Sequence, residues 1–439
     1  MRLSGRGRVM PAVVAAMCAA AALPGQAWAA GGPSPYEFDG AAKPVKGAEV
    51  NSNAEGLDAG SVYRDRIKAD GKLYYRVNLD AKTNAYVSVV AVPKQGGKAE
   101  YGDGIKVTLE DSSGSECSWR SAAFESVGYT RPIAAYASRL IRPDSTTCQQ
   151  QGAYYVKVER TTEATSAPDD WELEIRHDAE PALKTTGPTE APEDWPSASP
   201  APPAGGPKKR VGGTSFNNAM SLGQGEWRDD IKPGQTRFYR VPVDWGQQLF
   251  VTAELGTSTA GDDYVGNAFA LSLDNPARGH VEDNTMSYNG KQASMALDPL
   301  PPVAYRNRYD SSDKVSGMRF AGWYYLSATL SPEMAKEYGD KAVPLTLKVN
   351  VKGTPEAAPP YDGSAGIFAV TDDDQEAAAN GQSGPGAARS NTMQVVAAAG
   401  IGAGTVLVLG LGAWTLLARR RGAQGTPEGP TQYGPPQSW

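Results

Sequence analysis

The chain carries one pattern twice, and that repeat constrains its fold more than any other feature. Residues 53–60 read NAEGLDAG and residues 218–225 read NAMSLGQG, sharing N-A-x-x-L-x-x-G. The stretches that follow, YRDRIKADGKLYYRVNLD (63–80) and WRDDIKPGQTRFYRVPVD (227–244), align without gaps. They set Arg64 against Arg228, Asp65 against Asp229, Ile67 against Ile231, Tyr75 against Tyr239 and Arg76 against Arg240. GIKVTLED (104–111) matches NAFALSLD (267–274) in period and in its acidic end. At a further shared spacing, Pro132-Ile133-Ala134 matches Pro302-Val303-Ala304, and Gly152-Ala153-Tyr154-Tyr155 matches Gly322-Trp323-Tyr324-Tyr325. Matches that keep order and register over such a length mean two copies of one module, expected at 47–177 and 212–352.

Each copy reads as β. Leu73–Leu79, Tyr86–Val92 and Tyr154–Val158 in the first copy are rich in aromatic and β-branched residues, as are Phe238–Val243, Leu249–Leu255 and Leu345–Val349 in the second. Turn signals such as Asp70-Gly71 and Pro233-Gly234 separate such runs, and no segment of either copy sustains a 3.6-residue period. Many short strands at this spacing predict an all-β fold of two tandem antiparallel β-sandwiches, jelly-roll or immunoglobulin-like.

The repeated residues also resemble a family. N-A-x-x-L, a glycine, D-x-I-x-x-G and then Y-R-V leading into an aliphatic strand is similar to the bacterial pre-peptidase C-terminal (PPC) domains. Here the pattern runs Asp229-Asp230-Ile231-Lys232-Pro233-Gly234 into Phe238-Tyr239-Arg240-Val241, while the first copy departs with Asp70-Gly71 at the turn. The resemblance implies small extracellular β-sandwiches, non-catalytic and concerned with binding or positioning. The Ala- and Gly-rich chain with a single C-terminal span resembles actinobacterial cell-envelope proteins.

The two ends set an expected topology. Arg2, Arg6 and Arg8 precede an apolar run from Met10 to Leu23 and a small-residue site at Ala27-Trp28-Ala29, which predicts a signal peptide over 1–29. Near the C-terminus, Val395–Leu417 carries no charge. At 1.5 Å per residue it reaches about 35 Å, enough for a hydrocarbon core. Arg419, Arg420 and Arg421 follow. The positive-inside rule then predicts a membrane helix over 393–418, a cytoplasmic tail over 419–439, and the bulk of the chain extracytoplasmic. Gly400 and Gly404 form a G-x-x-x-G step that suits homodimer pairing within the span. Between these ends, residues 30–46 read as a flexible lead, 178–211 as a Pro-rich linker and 353–392 as a disordered linker with an acidic cluster at Asp372–Asp374.

Composition narrows the chemistry. Cys117 and Cys148 remain once Cys18 leaves with the signal peptide, and an oxidising compartment predicts a disulfide between them. The net charge of -6 argues against nucleic acid as a partner. Only His177 and His280 are present, both expected in exposed loops, and no hydrolase or phosphate-loop motif occurs. No cofactor or metal is expected. Asp229, matched by Asp65, is expected to serve an ion pair or a turn.

A binding surface is the better expectation. The stretch PLPPVAYRNRYDSSDK (299–314) offers Tyr305, Arg306, Arg308 and Tyr309, and its counterpart beside the cysteine pair offers Tyr136. Aromatics with arginine on a long loop suit a glycan or a protein. The functional expectation is a non-enzymatic, single-pass membrane protein whose modules bind or scaffold an envelope protein, polysaccharide or secretion partner. The alternative is an accessory or degenerate subunit of a cell-wall hydrolase or peptidase.

Overall fold

The computed structural model describes residues 34–124, 128–142, 145–261, 263–386 and 434. The predicted signal peptide, membrane helix and all of the tail but Gly434, with Gly400 and Gly404, lie outside these residues. Among the described residues, no helix is long and apolar enough to cross a membrane.

Two β-sandwiches, each of two five-stranded sheets, form the body. One sheet of the first module runs in the order β1 (Lys43–Pro44), β3 (Ser61–Ile67), β10 (Trp171–Glu180), β5 (Asn84–Val92), β8 (Ile133–Arg139). The other runs β2 (Glu55–Gly56), β4 (Lys72–Leu79), β9 (Gly152–Thr161), β6 (Gly104–Glu110), β7 (Glu116–Ala123). In the second module the first order recurs as β11 (Pro207–Lys209), β13 (Gly225–Ile231), β20 (Val343–Lys352), β15 (Gln248–Leu255), β18 (Ala293–Ala296). The second recurs as β12 (Met220–Ser221), β14 (Thr236–Val243), β19 (Gly322–Leu330), β16 (Val265–Asp274), β17 (His280–Tyr288). The four longer strands of each sheet follow a jelly-roll order, with successive strands crossing between sheets except at the β6–β7 and β16–β17 hairpins. Pairing is antiparallel except at the short edge strands β1, β2, β11 and β12, which join parallel.

The repeated residues have a shared physical job. In each copy a buried tyrosine and a glycine backbone N–H converge on one carboxylate oxygen. Tyr75 Oη and Gly47 N both donate to Asp65 Oδ2 at 2.7 Å. Tyr239 Oη and Gly212 N donate to Asp229 Oδ2 at 2.7 and 2.8 Å. The other carboxylate oxygen accepts from the next backbone N–H in both copies. A Cβ on Gly47 would meet the Tyr75 hydroxyl at 2.8 Å, and one on Gly212 the Tyr239 ring at 2.7 Å, so only glycine permits the approach. In the second copy Arg237 adds an ion pair to Asp229 at 3.5 Å. The turn departure also resolves. Asp70 and Gly234 occupy the same third turn position, with φ of 51° and 73°, and both turns close from the lysine carbonyl, Lys68 or Lys232.

Two of the expected matches shift. Ladder pairing sets Glu110 opposite Tyr155 and Asp274 opposite Tyr325, so Asp274 corresponds to Glu110, one residue off the 104–111/267–274 match. A single-residue shift exchanges the two sheet faces, so the period survived but the register did not. Ile133 pairs with Ala91 in β8, whereas Val303 lies in the connection after β18 and bonds Gln247 and Gly246. The Gly152/Gly322 match holds, since Tyr154 and Tyr324 face Val77 and Val241.

The segments read as flexible or disordered make packed contacts with the modules at several points. In the lead, Tyr36 is buried and β1 joins the sheet. In the Pro-rich stretch, Trp195 Nε1 donates to the Pro299 carbonyl at 3.2 Å, and Gln248 donates to the Pro196 carbonyl at 2.7 Å. Residues 353–386 bury Tyr361 and Phe368 and form a helix over Asp372–Asn380. The acidic cluster is the first turn of that helix, where Thr371 and Asp374 close a reciprocal capping box. Carboxylates at a helix start face the positive end of its dipole, which a count of charges along a linker does not register.

Candidate functional site

The modules do not hang apart on a tether; they pack sheet against sheet. The outer face of β10–β5–β8 meets the outer face of β14–β19, with Val90, Tyr36, Phe216, Phe238 and Tyr325 in one apolar cluster. A second cluster joins Tyr86 and Tyr136 to Ala277, Phe320 and Phe368. This explains β5, whose run Asn84–Ala91 is buried on both faces: Val87, Val89 and Ala91 enter the first core, while Tyr86 and Val90 enter the seam.

Within that seam two glutamates of β10, six residues apart and hence on one face, each capture an arginine of the second module. Glu174 accepts from Arg278 Nη1 at 2.5 Å, Asn217 Nδ2 at 2.8 Å, the Asp39 N–H at 2.9 Å and the Tyr36 hydroxyl at 3.2 Å. Glu180 holds Arg308 through both guanidinium nitrogens, at 2.7 and 3.0 Å, and accepts from Tyr86, Tyr361 and Asn84. Both glutamate side chains are 0 % exposed. Burial alone would raise the Glu180 pKa; Arg308 and the hydrogen bonds outweigh it and hold the carboxyl below its usual range. The second module has Thr346 and Lys352 at these ladder positions, so the clamps belong to the first copy alone.

The residues expected to form an exposed binding loop serve mainly this seam. Arg308 is buried in the Glu180 clamp. Tyr136 is buried, and its hydroxyl accepts from Arg319 of the second module. Tyr305 lies half-buried beneath the Arg308 guanidinium, 3.3 Å from the ring centroid, and burial pushes its hydroxyl up to about 12. Tyr309 is half-buried with Arg142 over its ring at 5.8 Å. Arg306 alone remains exposed. The loop is long because it must reach across to the first module, and an aromatic–arginine composition serves a buried interface as well as an open one. Tyr305 and Arg306 also face a groove of about 640 Å³ shared with Trp195, Trp245 and Glu356, walled by the two proline-rich stretches.

The histidines differ from expectation as well. His177 is buried within β10, its Nδ1 3.1 Å from the Leu57 carbonyl, and burial lowers its pKa. His280 is exposed but belongs to β17 rather than a loop. It lies 3.1 Å from Asp283 Oδ1 through Nε2, and 3.4 Å from Ser272 Oγ through Nδ1. Partial loss of solvent disfavours its charge, but the Asp283 hydrogen bond and the nearby Asp274 and Glu282 raise its pKa. The buried Asp274 carboxyl is pushed up to about 7, mainly by loss of solvent. These groups line a small intermodule cleft of about 160 Å³. No motif announces them, because a single hairpin brings all four together. Among the described residues, no group of three or more His, Cys, Asp or Glu side chains is arranged to hold a metal ion. The expected disulfide is formed between Cys117 and Cys148.

No family model matches the chain. Neither does any curated protein. Solved structures give remote likenesses. The N-terminal CBM22-1–CBM22-2 tandem domain of Xyn10C from Paenibacillus barcinonensis is 12 % identical and covers 68 % of this chain and 92 % of its own, with a TM-score of 0.18. The CUB1-EGF-CUB2 domain of human MASP-1/3 is 7 % identical, covering 66 % and 99 %, with a TM-score of 0.17. Likenesses at this level carry no argument about what the chain binds or does.

Proposed function

We propose that this chain is a membrane-anchored extracytoplasmic protein whose two β-sandwiches act as one rigid, non-enzymatic unit that binds or scaffolds an envelope protein, polysaccharide or secretion partner. The observation that carries this reading is the pair of buried Glu–Arg clamps: they fix the modules relative to one another, as presenting a composite surface requires. The anchor is supported by the uncharged run Val395–Leu417 and the arginines after it, with pairing through Gly400 and Gly404 as part of the same proposal. The finer likeness to PPC domains and to actinobacterial envelope proteins rests on the repeated D-x-I and Y-R-V motif and on composition. The groove beside Tyr305 and Arg306 is where we place partner contact. Capture of an envelope component by the full-length chain, lost on Trp195→Ala with Arg306→Ala, supports the reading; capture indifferent to both substitutions sinks the groove as the site.

A second reading, a residual hydrolase subunit, is favoured by one observation: Ser272, His280 and Asp283 connect as nucleophile, base and orienting acid. Turnover of a cell-wall substrate that vanishes in Ser272→Ala would replace the binding reading with this one.

A further inference from the structure

A second cleft of about 360 Å³ opens along the seam, between the disulfide-bonded end of the first module and the turn that carries Arg308. Four arginines line it: Arg120, Arg142, Arg308 and Arg319. Two are already neutralised, Arg308 by Glu180 and Arg120 by Asp313 at 2.5 Å. Among the described residues, no ion pair neutralises the other two. Arg319 is only 4 % exposed, donates through one Nη to the Tyr136 hydroxyl, and leaves its buried Nε without a hydrogen-bond partner. Its guanidinium lies beside Phe320 and Tyr86, 5.4 and 5.8 Å from the ring centroids. Arg142 donates to the Arg308 carbonyl at 3.1 Å and covers the Tyr309 ring. Neither forms an ion pair with a described carboxylate. The two acids that line the cleft are engaged elsewhere: Glu116 faces Lys106 at 4.0 Å, and Asp310 caps the Ser312 N–H at 2.7 Å.

A buried guanidinium without a counter-charge is a costly arrangement, which a charged ligand would relieve. Ser118 and Thr147 add hydroxyls to the same wall, and the Cys117–Cys148 bridge fixes the segments that carry them. We propose that this cleft is a binding site for an oxoanion, a carboxylate or phosphate borne on a ligand about the size of one sugar ring, with Arg319 and Arg142 as its cationic walls. Arginine suits the task because its planar fork meets two oxygens of such a group at once. The proposal goes beyond the scaffold reading and stands without it, since it concerns a charge inside the seam rather than the exposed groove.

The test is titration calorimetry on the full-length chain in detergent with glucuronate, inorganic phosphate and glucose. Saturable binding of glucuronate or phosphate but not of glucose is expected, and which of the two binds tells an acidic sugar from a phosphate group. Arg319→Gln should weaken that binding by about tenfold or more, the loss of a charge-assisted hydrogen bond. Arg142→Gln, on the more open wall, repeats the test should Arg319→Gln disturb folding. No saturable binding of either anion, glucose binding as tightly as glucuronate, or affinity unchanged in Arg142→Gln would each overturn the proposal.

Discussion

Asp229 shows how much one side chain of the repeat does. Its carboxylate satisfies the Tyr239 hydroxyl, the Gly212 N–H and the Asp230 N–H, all in buried or partly buried surroundings. Replacing it with alanine strands those donors, so Asp229→Ala should lower unfolding free energy by about 2–3 kcal/mol. A urea midpoint that barely moves would show that water takes over the acceptor's place. Asp274 carries the second residue-scale prediction. Its folded pKa of about 7 lies above the unfolded value of about 3.9, so the native state holds a proton that the unfolded chain releases. Its contribution to stability therefore falls as pH rises from about 4 to about 7 and levels off above, opposed by His177, whose lowered pKa contributes the other way. His280 adds to the same trend, because its raised pKa gives stability at low pH that is lost as it deprotonates. Asp274→Asn should flatten the decline, read from urea midpoints between pH 4 and 8; an unchanged slope would assign the titration elsewhere.

At the scale of elements, the parts outside the two cores depend on specific devices. The helix Asp372–Asn380 is held by its capping box and by Trp323 Nε1 donating to Asp374 Oδ1 at 2.8 Å. Thr371→Ala should cost the helix about 1 kcal/mol, seen as faster hydrogen exchange over 372–382 with the sandwiches unaffected. The described residues of the connection from β8 to β9 include no helix or strand, and the Cys117–Cys148 bridge ties it to β7 across a separation of 31 residues. Reduction should remove about 3–4 kcal/mol in the chain-entropy account, lowering the thermal midpoint of the protein. A midpoint that reduction leaves unchanged would mean that the loop is held by packing alone.

At the scale of the whole molecule, the seam decides whether there are two domains or one body. Each clamp glutamate is shielded from water and fully hydrogen-bonded, so neutralising it strands a buried arginine, a loss of about 3–5 kcal/mol per site. Wild-type protein should unfold in a single calorimetric transition, and Glu174→Gln with Glu180→Gln should divide it into two. Two transitions already present in the wild type would mean that the seam does not couple the modules.

The sequence by itself determined the repeat, its β character and the turns, because these follow from the local order of residue types, and the disulfide, because two cysteines remain to pair. It also carried an unused sign of the seam: Tyr86–Val92 is apolar on both faces, and such a strand must be covered twice. Glu174 and Glu180, where the second copy has Thr346 and Lys352, break the repeat at the very positions that meet the other module. Only the tertiary structure decided which charges pair. A glutamate, a tyrosine or an arginine on a loop reads the same whether it faces water or a partner more than a hundred residues away. That choice turned Arg308 and Tyr136 from expected ligand contacts into seam residues, and left Arg319 buried with no counter-charge among the described residues.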